Sequence, residues 1–149
     1  FIFRFSKSYR TLDYGCGTGI LGIASKKLFK KSKITFVDID KDAVKLTKEN
    51  LKLNNILLNQ VYLTNSYHSN KYIKKQFYDL IFANILFNPL KKLAPLFNLI
   101  IKPNSFLILS GLLNEQIPYI INFYNKYGFK KKKIFYLNGW GSIIMKRNP

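Results

Sequence analysis

An α/β domain with a mainly parallel sheet is the fold class this 149-residue sequence predicts, and three observations predict it. Short β-branched and aromatic runs alternate with stretches of helical periodicity along most of the chain, as βαβ units require. A glycine-rich turn, Asp13-Tyr14-Gly15-Cys16-Gly17-Thr18-Gly19, joins the first run to the first helical stretch. The last two runs flank Asn138-Gly139, a dipeptide that favours a two-residue hairpin and hence an antiparallel strand at one edge. The length is that of one domain, spanning 1–149, with helices expected on both faces of the sheet.

The elements follow in order. Arg10 to Tyr14 reads as a strand ending in the glycine turn, and Gly19 to Lys31 as a helix with Ile20, Ile23, Ala24 and Leu28 at helical spacing. Ile34 to Asp38 is a compact apolar strand. Asp40 to Asn54 reads as a helix with Asp40 as its N-cap and Ala43, Val44, Leu46 and Leu51 as its buried side, because a short side-chain oxygen there can accept from the free first-turn amides. Gln60 to Thr64 is a third strand, Asn65 to Gln76 a polar loop with a short helix, and Tyr78 to Asn84 a fourth strand. Leu90 to Ile101 reads as a helix with Pro89 near its first turn, stopped by Lys102-Pro103-Asn104; a proline costs little in a first turn, where its N–H would be unbonded. Phe106 to Ser110 is a buried strand, and Asn114 to Tyr127 a helix with Pro118 in its first turn and Gly128 as its stop. Phe129 to Leu137 and Trp140 to Lys146 form the hairpin.

Composition narrows the setting. The longest apolar runs, such as Leu93 to Ile101, are broken by Pro95 and Asn98 and fall short of the ~20 residues of a membrane span. No signal-peptide core stands at the start, and the single cysteine, Cys16, has no metal-ligand spacing, so a cytoplasmic protein without a structural metal is expected. The net charge is +18. Such a charge favours polyanions through counterion release, but 22 of the 25 basic residues are Lys, scattered through the chain. RNA binding that is non-specific at most is the expectation.

The glycine turn carries the chemistry. Glycines at 15, 17 and 19 let the backbone turn sharply and approach a ligand with free N–H groups at a helix start. Asp38, ending the second strand, is placed to accept from both hydroxyls of a ribose, as an acidic residue about 20 positions after a glycine turn does in dinucleotide sites. Gly17-Thr18-Gly19-Ile20-Leu21-Gly22 also satisfies G-x-G-x-x-G, so a nicotinamide cofactor competes as a reading. Asp13 favours S-adenosyl-L-methionine instead, since an anion before the turn opposes a pyrophosphate and suits a cationic sulfonium and amino group, directly or through water; an Asp capping the turn is its other reading, and the two can coexist. Ligands in such sheets sit beyond the carboxyl ends of the strands, where the turn, Asp38 and Asn84 would converge. His68, the one histidine, is expected at the surface, Asp79 as an exposed strand start, and Cys16 as a residue that packs or lines the pocket.

Several motifs then resemble the ribosomal protein L eleven methyltransferase family (PrmA). They are the D-x-G-x-G-x-G turn, Val37-Asp38-Ile39-Asp40, Phe82-Ala83-Asn84-Ile85-Leu86 with Pro89-Leu90, Leu93-Ala94-Pro95, and Leu109-Ser110-Gly111-Leu112 with Glu115-Gln116, within a similarity from Thr11 to Arg147. The resemblance implies a Rossmann-like class I methyltransferase fold with a seven-stranded sheet, S-adenosyl-L-methionine as cofactor, and transfer of methyl groups to lysine side chains and the N-terminal amine of a large-subunit ribosomal protein. Gly15, Asp38 and Asn84 are its cofactor-binding positions; Asp13, Gly17, Gly19 and Ile39 are taken with them, and Asn84 is also the candidate catalytic residue, orienting the acceptor amine. A turn residue capping the Leu90 helix is the other reading of Asn84. The small N-terminal substrate-binding domain of that family has no counterpart in 1–149, and Gly139-Trp140 departs from the family's acidic residue before the Trp, so Trp140 is given no catalytic role. A monomer is expected. Three alternatives stand beside this reading: a methyltransferase of the same fold acting on another protein, one acting on RNA or a small molecule, or a cofactor-binding domain inactive without the N-terminal domain.

Overall fold

The computed structural model describes residues 8–57, 60–64, 73 and 77–149. Seven strands form one sheet: β1 Arg10–Tyr14, β2 Lys33–Asp38, β3 Gln60–Leu63, β4 Tyr78–Asn84, β5 Ile101–Leu113, β6 Phe129–Leu137 and β7 Trp140–Arg147. Their order across the sheet is β3-β2-β1-β4-β5-β7-β6. The first five pair in parallel, while β7 runs antiparallel to both β5 and β6. The expected fold class holds, with one refinement: the antiparallel strand lies one place in from the margin and β6 forms the edge. The hairpin turn is left-handed at both Asn138 (φ 49°) and Gly139 (φ 82°), as a two-residue primed turn requires.

Four α-helices cover the sheet among the described residues: α1 Ile20–Leu28, α2 Lys41–Leu53, α3 Phe87–Ile100 and α4 Ile117–Asn125. Asp40 caps α2 as expected, its side chain accepting from the Asp42 N–H. Helix faces depart from the apolar spacing. In α1 the buried residues are Gly22, Ile23 and Ser25, while Ile20 and Leu28 are exposed. In α2 Thr47 is buried and Leu46 exposed. Neither position was settled by apolarity, because a glycine that lets a helix approach the sheet and a threonine with hydroxyl partners both bury without contributing to an apolar stripe.

Boundaries shift in several places, the first helix ending at Leu28 and not at Lys31. Helix α3 starts at Phe87, ahead of the expected Leu90, with Pro89 in its first turn and Pro95 inside. Strand β5 begins directly at Ile101, and Lys102-Pro103-Asn104 belong to an irregularity in its pairing with β4 between Tyr78 and Leu80, Asn104 taking φ 62°. The expected helix from Asn114 divides into a 3-10 turn, Asn114–Gln116, and α4. The expected loop from Asn65 to Gln76, with His68, lies outside the described residues except for buried Ile73.

The larger core packs α3 and α4 on β4, β5 and β7 through Leu90, Leu93, Phe97, Ile120, Leu109 and Ile143. The buried Tyr124 hydroxyl donates to the Leu90 carbonyl at 2.7 Å, tying α4 to α3. A second core, around Ile23, Ile34, Phe36 and Leu51, holds α1 and α2 to β2. Asp79 is no exposed strand start: it pairs with Lys102 at 2.7 Å and accepts from the Arg10 N–H. Among the described residues no helix is long and apolar enough to cross a membrane.

Candidate active site

The glycine turn is held from below by β2. The N–H groups of Gly15 and Cys16 both donate to the Val37 carbonyl, at 2.8 and 3.1 Å. Gly15, Gly17 and Gly19 take φ of 69°, 54° and 78°, a region where a Cβ is strained. Each has a different surrounding. A Cβ at Gly15 would overlap the Ile85 side chain, one at Gly19 would come within 2.9 Å of Thr47 Cγ2, and one at Gly17 would stand in open space. Gly15 thus permits Ile85, just beyond β4, to approach and Gly19 permits α2 to approach, while the space beside Gly17 is left open.

Asp38 is fastened by two backbone donors. Gly17 N–H reaches its Oδ2 at 2.8 Å and Asp40 N–H its Oδ1 at 3.0 Å. The side chain is half-buried, and each carboxylate oxygen keeps a lone pair for a ligand. From the other side, α2 grips the turn's carbonyls: Thr47 Oγ1 donates to Gly17 O at 2.9 Å, and Asn50 Nδ2 donates to Thr18 O at 2.9 Å. Thr47 Oγ1 also lies 3.3 Å from the Cys16 sulfur. Burial pushes the Cys16 thiol up to about 12, partly offset by that Thr47 contact, which leaves it a neutral packing group as expected.

Asp13 takes the capping role that was the other reading of it. Its carboxyl is 1% exposed and accepts from the Gly22 N–H at 2.8 Å, so it anchors α1 beneath the turn and presents no surface to a ligand. Burial raises its pKa from 3.8 to about 7, against the lowering effect of the Gly22 bond and with a further push from the Asp38 charge. Gly22 is required there, because a Cβ would overlap the Phe36 ring and come within 3.1 Å of Asp13 Oδ2.

Two pockets open beyond the strand ends. The first, about 320 Å³, is bounded by Gly15, Asp38 and Ile39 on one side and by Ile85, Leu86 and Pro89 on the other. The second, about 410 Å³, lies between Asn84, Ser110, Gly111 and Trp140 and shares Ile85 and Leu86 with the first. Gly111 sits close under this wall: a Cβ there would come within 2.9 Å of Ile85 O and 3.1 Å of Asn84 Oδ1.

The description "Ribosomal protein L11 methyltransferase (PrmA)" belongs to a family whose sequence pattern matches residues 4–148. The chain belongs to this family. A curated L11 methyltransferase from Hydrogenovibrio crunogenus is 38% identical over 132 residues, which are 89% of this chain and 42% of that protein. The chain therefore spans less than half the length of that relative. A ribosomal protein L11 methylase from Lactobacillus delbrueckii subsp. bulgaricus superimposes with a TM-score of 0.82 at 26% identity, over 96% of this chain and 72% of the other. The protein SMU.776, solved in complex with SAH, superimposes with a TM-score of 0.77 over 93% of this chain and 45% of its own, and at 16% identity shares the fold.

Within this PrmA-family site, the structure brings Gly15, Asp38 and Ile39 to the first pocket and Gly17 to Asp38 by a hydrogen bond. Gly19 is buried and serves as the N-cap of α1, where its φ of 78° is its contribution. Asn84 lines the second pocket and not the first. It does not cap α3, whose N-cap is Leu86 without a side-chain bond. Sequence reasoning missed Thr47 and Asn50; the available signal was two polar residues three apart on a helix that follows the glycine turn, a spacing that places them on one face. It also passed over Trp140, which is 52% exposed and forms a wall of the Asn84 pocket.

Proposed function

We propose that this chain is the cofactor-binding and methyl-transferring part of an S-adenosyl-L-methionine-dependent protein methyltransferase. Its acceptors are lysine side chains and the N-terminal amine of a large-subunit ribosomal protein, in the cytoplasm. The observation that carries the reading is the common Ile85–Leu86 wall between the Asp38 pocket and the Asn84 pocket, which suits a donor and an acceptor meeting across a short gap. Membership of the L11 methyltransferase family supports the substrate, and the SAH held by SMU.776 supports the cofactor.

The residues fit that cofactor. Asp38, with one backbone bond already on each oxygen, has lone pairs to accept from two adjacent ribose hydroxyls, and no atom stands where a side chain at Gly17 would be. When bound, the cofactor supplies a methyl group already activated on a cationic sulfonium. Ile85 and Leu86 give the gap an apolar wall, and the Asn84 amide oxygen accepts from the acceptor nitrogen and fixes its direction. None of the described residues bounding the Asn84 pocket is titratable, so among them nothing takes the amine's proton, and catalysis rests on alignment of an amine that arrives deprotonated.

Calorimetry with S-adenosylhomocysteine tests the donor side. Asp38→Ala should weaken binding by about 2–4 kcal/mol through loss of two charge-assisted hydrogen bonds, and NAD should not bind. Single-turnover methylation of the ribosomal protein, by the native protein carrying Asn84→Ala, should slow by ~100-fold with a smaller loss of cofactor affinity. Tight NAD binding overturns the cofactor; an Asn84→Ala rate near wild type overturns the acceptor role.

A further inference from the structure

A third pocket, about 450 Å³, lies outside both compartments, between α3, α4 and the 3-10 turn that precedes α4. It is joined to the acceptor side. An intermediate hollow of about 370 Å³ shares Leu86, Gly111 and Trp140 with the Asn84 pocket and Phe87 and Gln116 with the third one. Through these shared residues the three adjoin in a row, a groove that starts beside Asn84 and ends over α4.

The far end is aromatic and cationic. Phe87, Tyr119 and Phe123 bound it, with Tyr119 69% exposed. Lys91 is half-buried there, its ammonium 5.4 Å from the Phe87 ring centre and 5.6 Å from that of Phe123. Two ring faces hold that cation in the groove where it would otherwise spread into solvent. Lys126 adds a second positive charge, against the single carboxylate of Glu115. The only ion pair found among the described residues is Lys102–Asp79, so neither lysine is neutralised by a carboxylate at salt-bridge distance.

We infer that this groove seats the substrate polypeptide beyond the methylated amine, and that Lys91 and Lys126 receive a carboxylate side chain of the substrate. The inference rests on the Asn84 pocket being the acceptor compartment. Charge decides the occupant: a concave surface with two cations facing one anion, floored by rings, is complementary to an acidic residue flanked by apolar ones. The groove then sets which amines are methylated, by requiring an acid at a fixed offset from the acceptor.

The test uses fluorescent peptides with one lysine and a single Glu moved through successive positions on either side, binding measured by anisotropy at physiological salt with saturating S-adenosylhomocysteine. One offset, on one side, should bind about fivefold more tightly than the Gln-containing control, the size expected of a partly enclosed ion pair. Lys91→Gln with Lys126→Gln should erase that gain with S-adenosylhomocysteine affinity and melting temperature unchanged, and Lys126→Glu should transfer the preference to a peptide with Lys at the same offset. Equal gain at every offset, gain surviving in the double variant, or equal competition by single-stranded RNA would mean that the overall positive charge does the binding, and would overturn the inference. Loss of S-adenosylhomocysteine binding in the wild-type protein would instead overturn the proposed function.

Discussion

Asp13 shows how much a single residue's depth matters. Its position before the glycines is plain in the sequence, but residue type does not reveal whether a carboxyl faces a ligand or the underside of a helix. Here it is buried against Gly22. Its folded pKa of about 7 stands above the ordinary value of 3.8, so between those values the folded state holds a proton that the unfolded chain has released. The stability this gives is fully present below pH ~4 and is lost as pH rises to about 7. Urea denaturation of wild type and Asp13→Asn across that window should show wild type losing stability relative to the variant, whose amide oxygen can still accept from Gly22. A constant difference across the window would mean that the carboxyl is ionised throughout. Asp38, by contrast, was legible, because a strand end about 20 residues after a glycine turn admits few other geometries.

Among the elements, α2 carries a duty that its amphipathic pattern conceals. Its buried face includes Thr47 where apolar spacing favoured Leu46, since a hydroxyl with two partners can be buried at little cost. Thr47 and Asn50 hold the Gly17 and Thr18 carbonyls, which leaves the turn's open backbone side to the cofactor. Thr47→Val keeps the shape and removes the bond. It should weaken S-adenosylhomocysteine binding by ~1 kcal/mol, about fivefold, and leave the single-turnover rate at saturating cofactor near wild type, while Thr47→Ser restores affinity. A Val variant that binds like wild type, or a Ser variant as weak as Val, would remove Thr47 from the site. Strand and helix existence followed the alternating periods closely; boundaries did not, because β5 continues from α3 without a loop and its proline and Asn104 mark an irregularity inside a strand, which a local reading takes for a break.

For the whole molecule, the basic residues behind the net charge of +18 are spread over several elements. The run Lys130, Lys131, Lys132 and Lys133 is exposed on β6, whereas Lys91 lies half-buried between α3 and α4. Affinity for RNA should therefore be independent of sequence and fall steeply between low and physiological salt, as counterion release dictates. Filter binding with unrelated oligonucleotides checks this; a preferred sequence that survives physiological salt would point to a reading surface. The strand order itself was only partly legible. The hairpin signalled an antiparallel pair, but the placement of β7 inside β6 depends on pairing between distant segments that no local pattern encodes.

That placement leaves β6 with its outer backbone groups unpaired by any other described strand, and an open strand edge is a template on which a second molecule can grow. The four successive lysines along it answer the hazard. Two copies approaching edge to edge would set one row of ammonium groups against another, so the same residues that favour polyanions discourage the protein from polymerising with itself, and acetylating them would remove that protection.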